Sequence, residues 1–260
     1  MPDAKLYVIP GSHPCRTGML LLEHKRIPYR RVELVPGLHS VAVKALGFPA
    51  EARRTHQMGE GEHKRIARAD RLGTVPALRY DGERVQTCRA IARFLDDVEP
   101  DPPLFPAEPE RREAVEEAEL WGDEVLQMTA RRLVLAASVR ADGTLRDDGE
   151  TGRLGPLLFK SRRVRKRAVP MIGRQVWEAD EQAEREMLAE LPAMLDRVDA
   201  WIEEGVLNGD ELNGEQLYAA DYMIVSSLAL LTYRTDVEPE IASRPARALV
   251  DRVLPEPVPA

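Results

Sequence analysis

The stretch Leu6-Tyr7-Val8-Ile9-Pro10-Gly11-Ser12-His13-Pro14-Cys15-Arg16 decides how the rest of the chain is read. Residues 6–9 are aromatic or aliphatic and partly β-branched, the composition of a short buried strand. Beyond the turn, Thr17 to Lys25 places Met19, Leu20, Leu21 and Leu22 ahead of polar Glu23, His24 and Lys25. That pattern predicts a helix with one buried face. A Pro-Gly turn between the two delivers unpaired N–H groups and the positive end of a helix dipole to one spot. Ser12 is in position to cap that helix, and Cys15 falls in its first turn. A hydroxyl or thiol held there is biased toward its anion.

Working outward, Ile27-Pro28 ends the helix and Tyr29-Arg30-Arg31-Val32-Glu33-Leu34 alternates like a second strand. Strand, helix and strand in so short a span make a βαβ unit with parallel strands and a right-handed crossover. Residues 35–72 read as irregular, with Pro36-Gly37, Gly47-Phe48-Pro49 and a polar stretch from Glu51 to Arg71. The pattern sharpens at Gly73-Thr74-Val75-Pro76-Ala77-Leu78-Arg79-Tyr80. Asp81-Gly82 follows, and Asp-Gly between two short apolar segments signals a hairpin. A helix then begins at Thr87-Cys88-Arg89, with Ile91, Phe94 and Leu95 on one side. Pro100, Pro102, Pro103 and Pro106 suggest a stiff, exposed connection and a domain boundary.

Beyond the boundary the chain reads as helical. Residues 110–140 carry Ala114, Ala118, Trp121, Val125, Met128 and Leu133 at helical intervals, and Gly143, Gly149, Gly152 and Gly155 break the pattern. Met187, Leu188, Leu191, Leu195, Val198 and Ile202 form an apolar stripe over 181–204, in which Pro192 predicts a kink. Residues 219–233 are apolar nearly all round and therefore central, and one last amphipathic helix spans 239–254.

Composition bounds the function. The 260 residues are 43% apolar, with a net charge of −7 that divides unevenly. Residues 1–97 hold 17 basic and 11 acidic side chains, whereas 98–260 hold 20 and 33. An acidic second half argues against nucleic acid as a partner, and a mildly basic first half suits a small anionic ligand. No apolar run reaches membrane-spanning length and the N-terminus lacks a signal-peptide apolar segment, which predicts a cytoplasmic protein with no membrane partner. Two cysteines, Cys15 and Cys88, form no disulfide framework, in keeping with a reducing compartment. His56, Glu60 and His63 have the spacing of metal ligands on a helix, but Gly59 and Gly61 disfavour that helix, and no metal is expected. The basic run Lys160 to Arg167 is followed by Glu178, Asp180, Glu181, Glu184 and Glu186, so it reads as a paired, exposed surface. Trp121, Trp177 and Trp201 read as core or interdomain residues, with Trp121 a candidate wall of a substrate cleft.

The order βαβ, Val-Pro turn, ββ hairpin and helix, followed by helices alone, resembles the cytosolic glutathione S-transferase superfamily. The resemblance implies a thioredoxin-like α/β domain at residues 1–97, a linker at 98–106 and an all-helical domain at 107–260. Pro10-Gly11-Ser12-His13-Pro14-Cys15-Arg16 looks like the active-site turn of the serine-type, delta- and theta-like members. There the serine at the place of Ser12 hydrogen-bonds the glutathione sulfur and favours the thiolate. Thr74-Val75-Pro76 is similar to the family's cis-proline turn, which would pair Val75 with the cysteinyl part of the tripeptide. Ala220-Asp221 resembles its structural capping aspartate, although Tyr218 stands where a Ser or Thr is usual. Thr87-Cys88 replaces the usual Glu-Ser or Gln-Ser, while Arg89-Ala90-Ile91 follows as in the family. That exchange removes the acidic partner of the γ-glutamyl amine but keeps a helix N-terminus for a carboxylate. Segments near 50–71 and 141–178 read as insertions.

The site this implies has Ser12 as the thiol-activating residue, with His13, Cys15, Val75, Pro76, Thr87, Cys88 and Arg89 around the thiol ligand. The co-substrate would be glutathione or, given 31 Arg to 6 Lys and the GC-rich genome that ratio hints at, another low-molecular-weight thiol. The implied activity is thiol attack on a small electrophile, as in detoxification, by a homodimer. The competing reading is a non-catalytic binding or scaffold protein of the same fold, favoured by Thr87-Cys88. Ser12-x-x-Cys15 lacks the dithiol of a disulfide reductase.

Overall fold

A computed structural model describes residues 2–48, 75–140, 143–146, 152–155, 180–208 and 216–257. The expectations placed on His56, Glu60 and His63, on Thr74, on the Lys160–Arg167 run and on Trp177 lie outside the described residues, as do the 50–71 insertion and most of the 141–178 one.

The first domain is thioredoxin-like. Strand β1 (Ala4–Val8) leads through the Pro-Gly turn into helix α1 (His13–His24), then strand β2 (Arg30–Glu33) and a short helix α2 (His39–Ala45). Strands β3 (Ala77–Tyr80) and β4 (Glu83–Gln86) form the hairpin and deliver the chain to helix α3 (Cys88–Val98). The sheet order is β2-β1-β3-β4, with β1 and β2 parallel and the other two pairings antiparallel. β1 is central, and its Leu6 and Val8 are fully buried. Asp81 and Gly82 both take positive φ, 47° and 96°, as a tight two-residue hairpin requires. The carboxylate of Asp81 accepts from Asp3 N at 2.8 Å, closing one end of the central β1–β3 pair.

The helical domain contains α4 (Pro109–Trp121), a π-helical segment (Gly122–Leu126), α5 (Gln127–Arg140), α6 (Glu181–Glu203), α7 (Ala219–Leu231), α8 (Glu238–Ala242) and α9 (Pro245–Val253). Four local expectations are corrected. Residues 39–45 are helical rather than irregular. The 110–140 helix is interrupted by the π turn, where Gly122 comes so close to α7 that an added Cβ would lie 3.0 Å from Ile224. The 239–254 helix is two helices, divided at Ser243-Arg244 before Pro245. The proline-rich connection is not exposed throughout, because Leu104 and Phe105 are buried, with Arg93 and Arg112 stacked on the Phe105 ring. α6 continues through Pro192.

α7 is buried along its whole length and is the axis of the molecule, with α1, α4 and α5 packed against it. It also joins the domains by specific bonds. Thr17 Oγ1 donates to Tyr222 O at 3.3 Å. His24 Nε2 lies 3.2 Å from Pro103 O, an acceptor only, so that nitrogen carries the hydrogen and Nδ1 accepts from the Tyr222 hydroxyl at 2.8 Å. Burial holds the His24 pKa below its ordinary value, in keeping with this neutral tautomer. Next to it, buried Lys25 donates to Asp96 Oδ1 at 2.7 Å and to Pro102 O at 2.6 Å.

Candidate active site

Three backbone features converge at the top of α1. The first is its N-terminus. Ser12 sits in extended conformation at the cap, its hydroxyl accepting from Cys15 N at 3.4 Å, while Arg16 N makes the first helical bond to Ser12 O at 3.0 Å. Gly11 takes φ 66°, which lets the turn reverse directly into the helix. The second is the Val75–Pro76 peptide, which is cis. The third is the start of α3, where Thr87 holds φ 79° and ψ 148°, and its hydroxyl caps Ala90 N at 3.3 Å. Positive φ in a β-branched residue is costly, and such strain gathers at functional sites.

Short bonds lock the three together. Cys88 Sγ donates to Pro14 O at 3.2 Å, tying the start of α3 to the α1 turn. Thr87 N donates to Pro76 O at 3.3 Å, tying it to the cis turn. α1 meets that turn through Gly18, where a Cβ would lie 3.0 Å from Pro76 Cβ and 3.1 Å from its Cγ. Gly18→Val should therefore destabilise the protein by about 1–3 kcal/mol through overpacking against a rigid ring. Chemical denaturation of both proteins checks this, and an unchanged midpoint would mean the turn yields.

The residues predicted for the site have diverse placements. Ser12 is partly exposed at the helix end. Val75 and Pro76 are buried, Pro76 against Gly18 of α1. Cys15 is 1% exposed, and burial pushes its thiol up to about 11, against smaller opposing effects of the Ser12 hydrogen bond and the Arg131 charge. It stays a neutral thiol at pH 7. Cys88 is likewise buried, its sulfur engaged with Pro14. His13 is buried rather than presented to solvent, and its Nε2–H donates to Gln127 O at 3.2 Å. Arg89 turns toward the helical domain, where its Nε donates to Glu119 at 3.2 Å; Arg93 grips the same buried carboxylate at 2.8 Å. Trp121 packs edge-on against Trp201 at 5.3 Å, and Arg197 lies over both rings. Asp221 is a structural cap, its carboxylate accepting from Tyr218 N at 2.8 Å.

The helical-domain side of the site was not readable from the sequence. Gln127 and Arg131 on α5 stand there, joined by a 3.1 Å bond from Arg131 to the Gln127 amide oxygen. Burial, and secondarily the Arg131 charge, hold the ring of His39, at the start of α2, below its ordinary pKa. No motif links these three residues. Among the described residues no group of His, Cys, Asp or Glu could hold a metal ion, and no helix is long and apolar enough to cross a membrane.

Residues 6–103 match the family model of the glutathione S-transferase N-terminal domain. Comparison with curated protein sequences returns no match. Among solved structures, a glutathione S-transferase of Ceriporiopsis subvermispora in complex with glutathione is similar at TM-score 0.62 and 16% identity, over 99% of each chain. A glutathione S-transferase of Rhodospirillum rubrum is 19% identical at TM-score 0.57, over 98% of this chain and 93% of that one. The beta-etherase of a Sphingobium species is 17% identical at TM-score 0.59, over 96% and 94%. The chain thus carries the glutathione S-transferase fold, with a first domain whose sequence matches that family's model.

Proposed function

We propose that the protein is a serine-type, glutathione S-transferase-like enzyme that binds glutathione or a related thiol and activates it for attack on a small electrophile. The observation that carries this reading is the convergence of the Ser12-capped α1 terminus, the Val75–Pro76 turn and the strained Thr87 cap on one locked site. Each element supplies one part of a thiol-bearing peptide's needs. The backbone of Val75 pairs with the ligand's own backbone. First-turn N–H groups of α3, which have no carbonyl within their helix, receive a carboxylate. The Ser12 hydroxyl donates to the sulfur, and the α1 dipole stabilises its negative charge. The thiolate then attacks an electrophile held against the helical domain, the two reactants aligned by binding. The Thr87 hydroxyl and Cys88 thiol are spent on internal bonds, so recognition at that end rests on backbone groups. The same reading includes a homodimer and a cytoplasmic setting, the former checked by light scattering.

Calorimetric titration with glutathione, with a second low-molecular-weight thiol beside it, tests the reading directly. Saturable binding is expected for at least one thiol. Ser12→Ala should lower conjugation by about 100-fold, the effect of removing one donor to a developing anion. Its stability should fall by only about 1 kcal/mol, for the lost cap. Conjugation unchanged in Ser12→Ala removes that residue from the mechanism. No binding of either thiol to folded protein sinks the enzyme reading and leaves the scaffold one.

A further inference from the structure

A polar ladder runs up the face of the helical domain that meets the α1 turn. Asp123 and Gln127 are buried, and the Gln127 amide nitrogen donates to Asp123 Oδ1 at 2.9 Å. The amide is thereby oriented with its oxygen toward Arg131, whose guanidinium donates to it at 3.1 Å and lies 3.5 Å from Met128 Sδ. The backbone carbonyl of Gln127 meanwhile receives the His13 ring, from the residue next to Ser12. Asp123, Gln127 and Arg131 recur every four residues, so the ladder holds a guanidinium about one helical turn from the His13 contact.

The Arg131 charge acts on groups of the first domain. It favours the thiolate of Cys15, in the first turn of α1, as the charge of Arg31 on β2 also does, and it adds to burial in holding the His39 ring of α2 below its ordinary pKa. Cys15 itself stays protonated because it is wholly desolvated, a cost that exceeds the attraction. Ser12, by contrast, keeps part of its surface, so a thiol resting on it would be spared most of that cost.

We propose that Arg131 is a second positive centre, beside the α1 N-terminus, that ionises a thiol bound at Ser12 and so sets the pH range over which the protein works. The assignment rests on the thiol-binding reading above. In the step concerned the S–H bond breaks, its electron pair stays on sulfur and the proton leaves to solvent buffer; nothing is oxidised or reduced. A guanidinium suits the task because it remains charged at every pH at which a thiol titrates. One charge at a partly buried site shifts a neighbouring group by about one pH unit, a tenfold change in thiolate at a fixed pH below the midpoint.

The experiment is a pH titration of the ultraviolet thiolate absorbance of glutathione bound to wild type, Arg131→Met and Arg131→Lys, with conjugation of a neutral electrophile followed over the same range. Arg131→Met should bind glutathione with its thiolate midpoint raised by about one pH unit, and lose conjugation about tenfold at low pH with recovery at high pH. Arg131→Lys, which keeps the charge, should titrate close to wild type. A midpoint that is the same in wild type and Arg131→Met overturns the assignment, as does a rate loss that is uniform across pH, while leaving thiol binding intact. Wild type that binds no glutathione overturns both.

Discussion

Arg234→Ala is expected to lose about 3–5 kcal/mol of stability, the toll of removing one partner from a buried ionic network. Arg234 is fully buried, yet every side of its guanidinium is met. It donates to Leu133 O at 2.7 Å and to Glu184 Oε1 at 2.6 Å, and forms a two-pronged pair with Asp236 at 3.0 and 2.6 Å. Glu184 is itself buried and also pairs with Arg140. Burial disfavours the charged form of Asp236, but the Arg234 hydrogen bonds and charge prevail and hold its carboxyl below the usual range. The network fastens α5, α6 and the turn after α7, and Leu145 bridges to Arg234 from the connecting segment. Removing the arginine therefore leaves the buried Glu184 with Arg140 as its partner and takes a donor from Leu133 O, while Asp236, which is exposed, is solvated by water. For a chain of this size the melting temperature should fall on the order of 10 °C. Scanning calorimetry checks it, and a shift of only a degree or two would show that water enters and solvates Glu184. Arg234→Met combined with Glu184→Met should recover much of the loss, because an apolar pair replaces a desolvated ionic one.

The second large effect lies at Asp221. Its carboxylate accepts from Tyr218 N and Asn208 N, both at 2.8 Å, and from the Asn208 side chain at 3.4 Å. All of these groups are buried, so Asp221→Ala orphans two backbone donors at about 1–3 kcal/mol each. A loss of about 3–4 kcal/mol is expected in denaturant unfolding. Burial also raises the Asp221 carboxyl from 3.8 to about 6, against the hydrogen bonds from Tyr218 and Asn208 that favour its charge. The folded state then holds more protons than the unfolded one between pH 4 and 6. Stability from this group is fully present below pH 4 and is lost as pH rises through about 6. Asp221→Asn cannot titrate, so its deficit relative to wild type should be larger at pH 5 than at pH 7. A deficit that grows toward pH 7 instead would mean that the carboxylate is the favoured form in the fold.

Much of the first domain was legible because its signals are local. The apolar run at residues 6–9, the Ser12 cap, Asp81-Gly82 and Val75-Pro76 each act over a few residues, and the folded positions agree with them. α2 was hidden for the opposite reason. Only Val43 of its residues is buried, and Val41 on the same helix is exposed, so no apolar stripe announces it. The π turn before Gln127 leaves the spacing of apolar residues almost unchanged, and only the approach of Gly122 to α7 reveals why the chain needs room there. The helical wall of the site was equally hidden. Gln127 meets His13 across 114 positions of sequence and Arg234 meets Glu184 across 50, and side-chain pairing at such separations has no signature in composition or periodicity.

The central place of α7 also governs the order in which the molecule can be completed. Residues of α1 that bond to Tyr222 are made early, whereas α7 ends at Leu231, 133 positions after the end of α3. At a translation rate of about 5–20 residues per second, the first domain waits roughly ten seconds for the helix that covers it. During that interval the inner face of α1 is bare, and the nascent domain presents an apolar surface to whatever attends the ribosome. Fast pairing of the sheet cannot shorten the wait. Slower synthesis lengthens it, so the yield of folded protein should depend on how quickly the connecting residues are made.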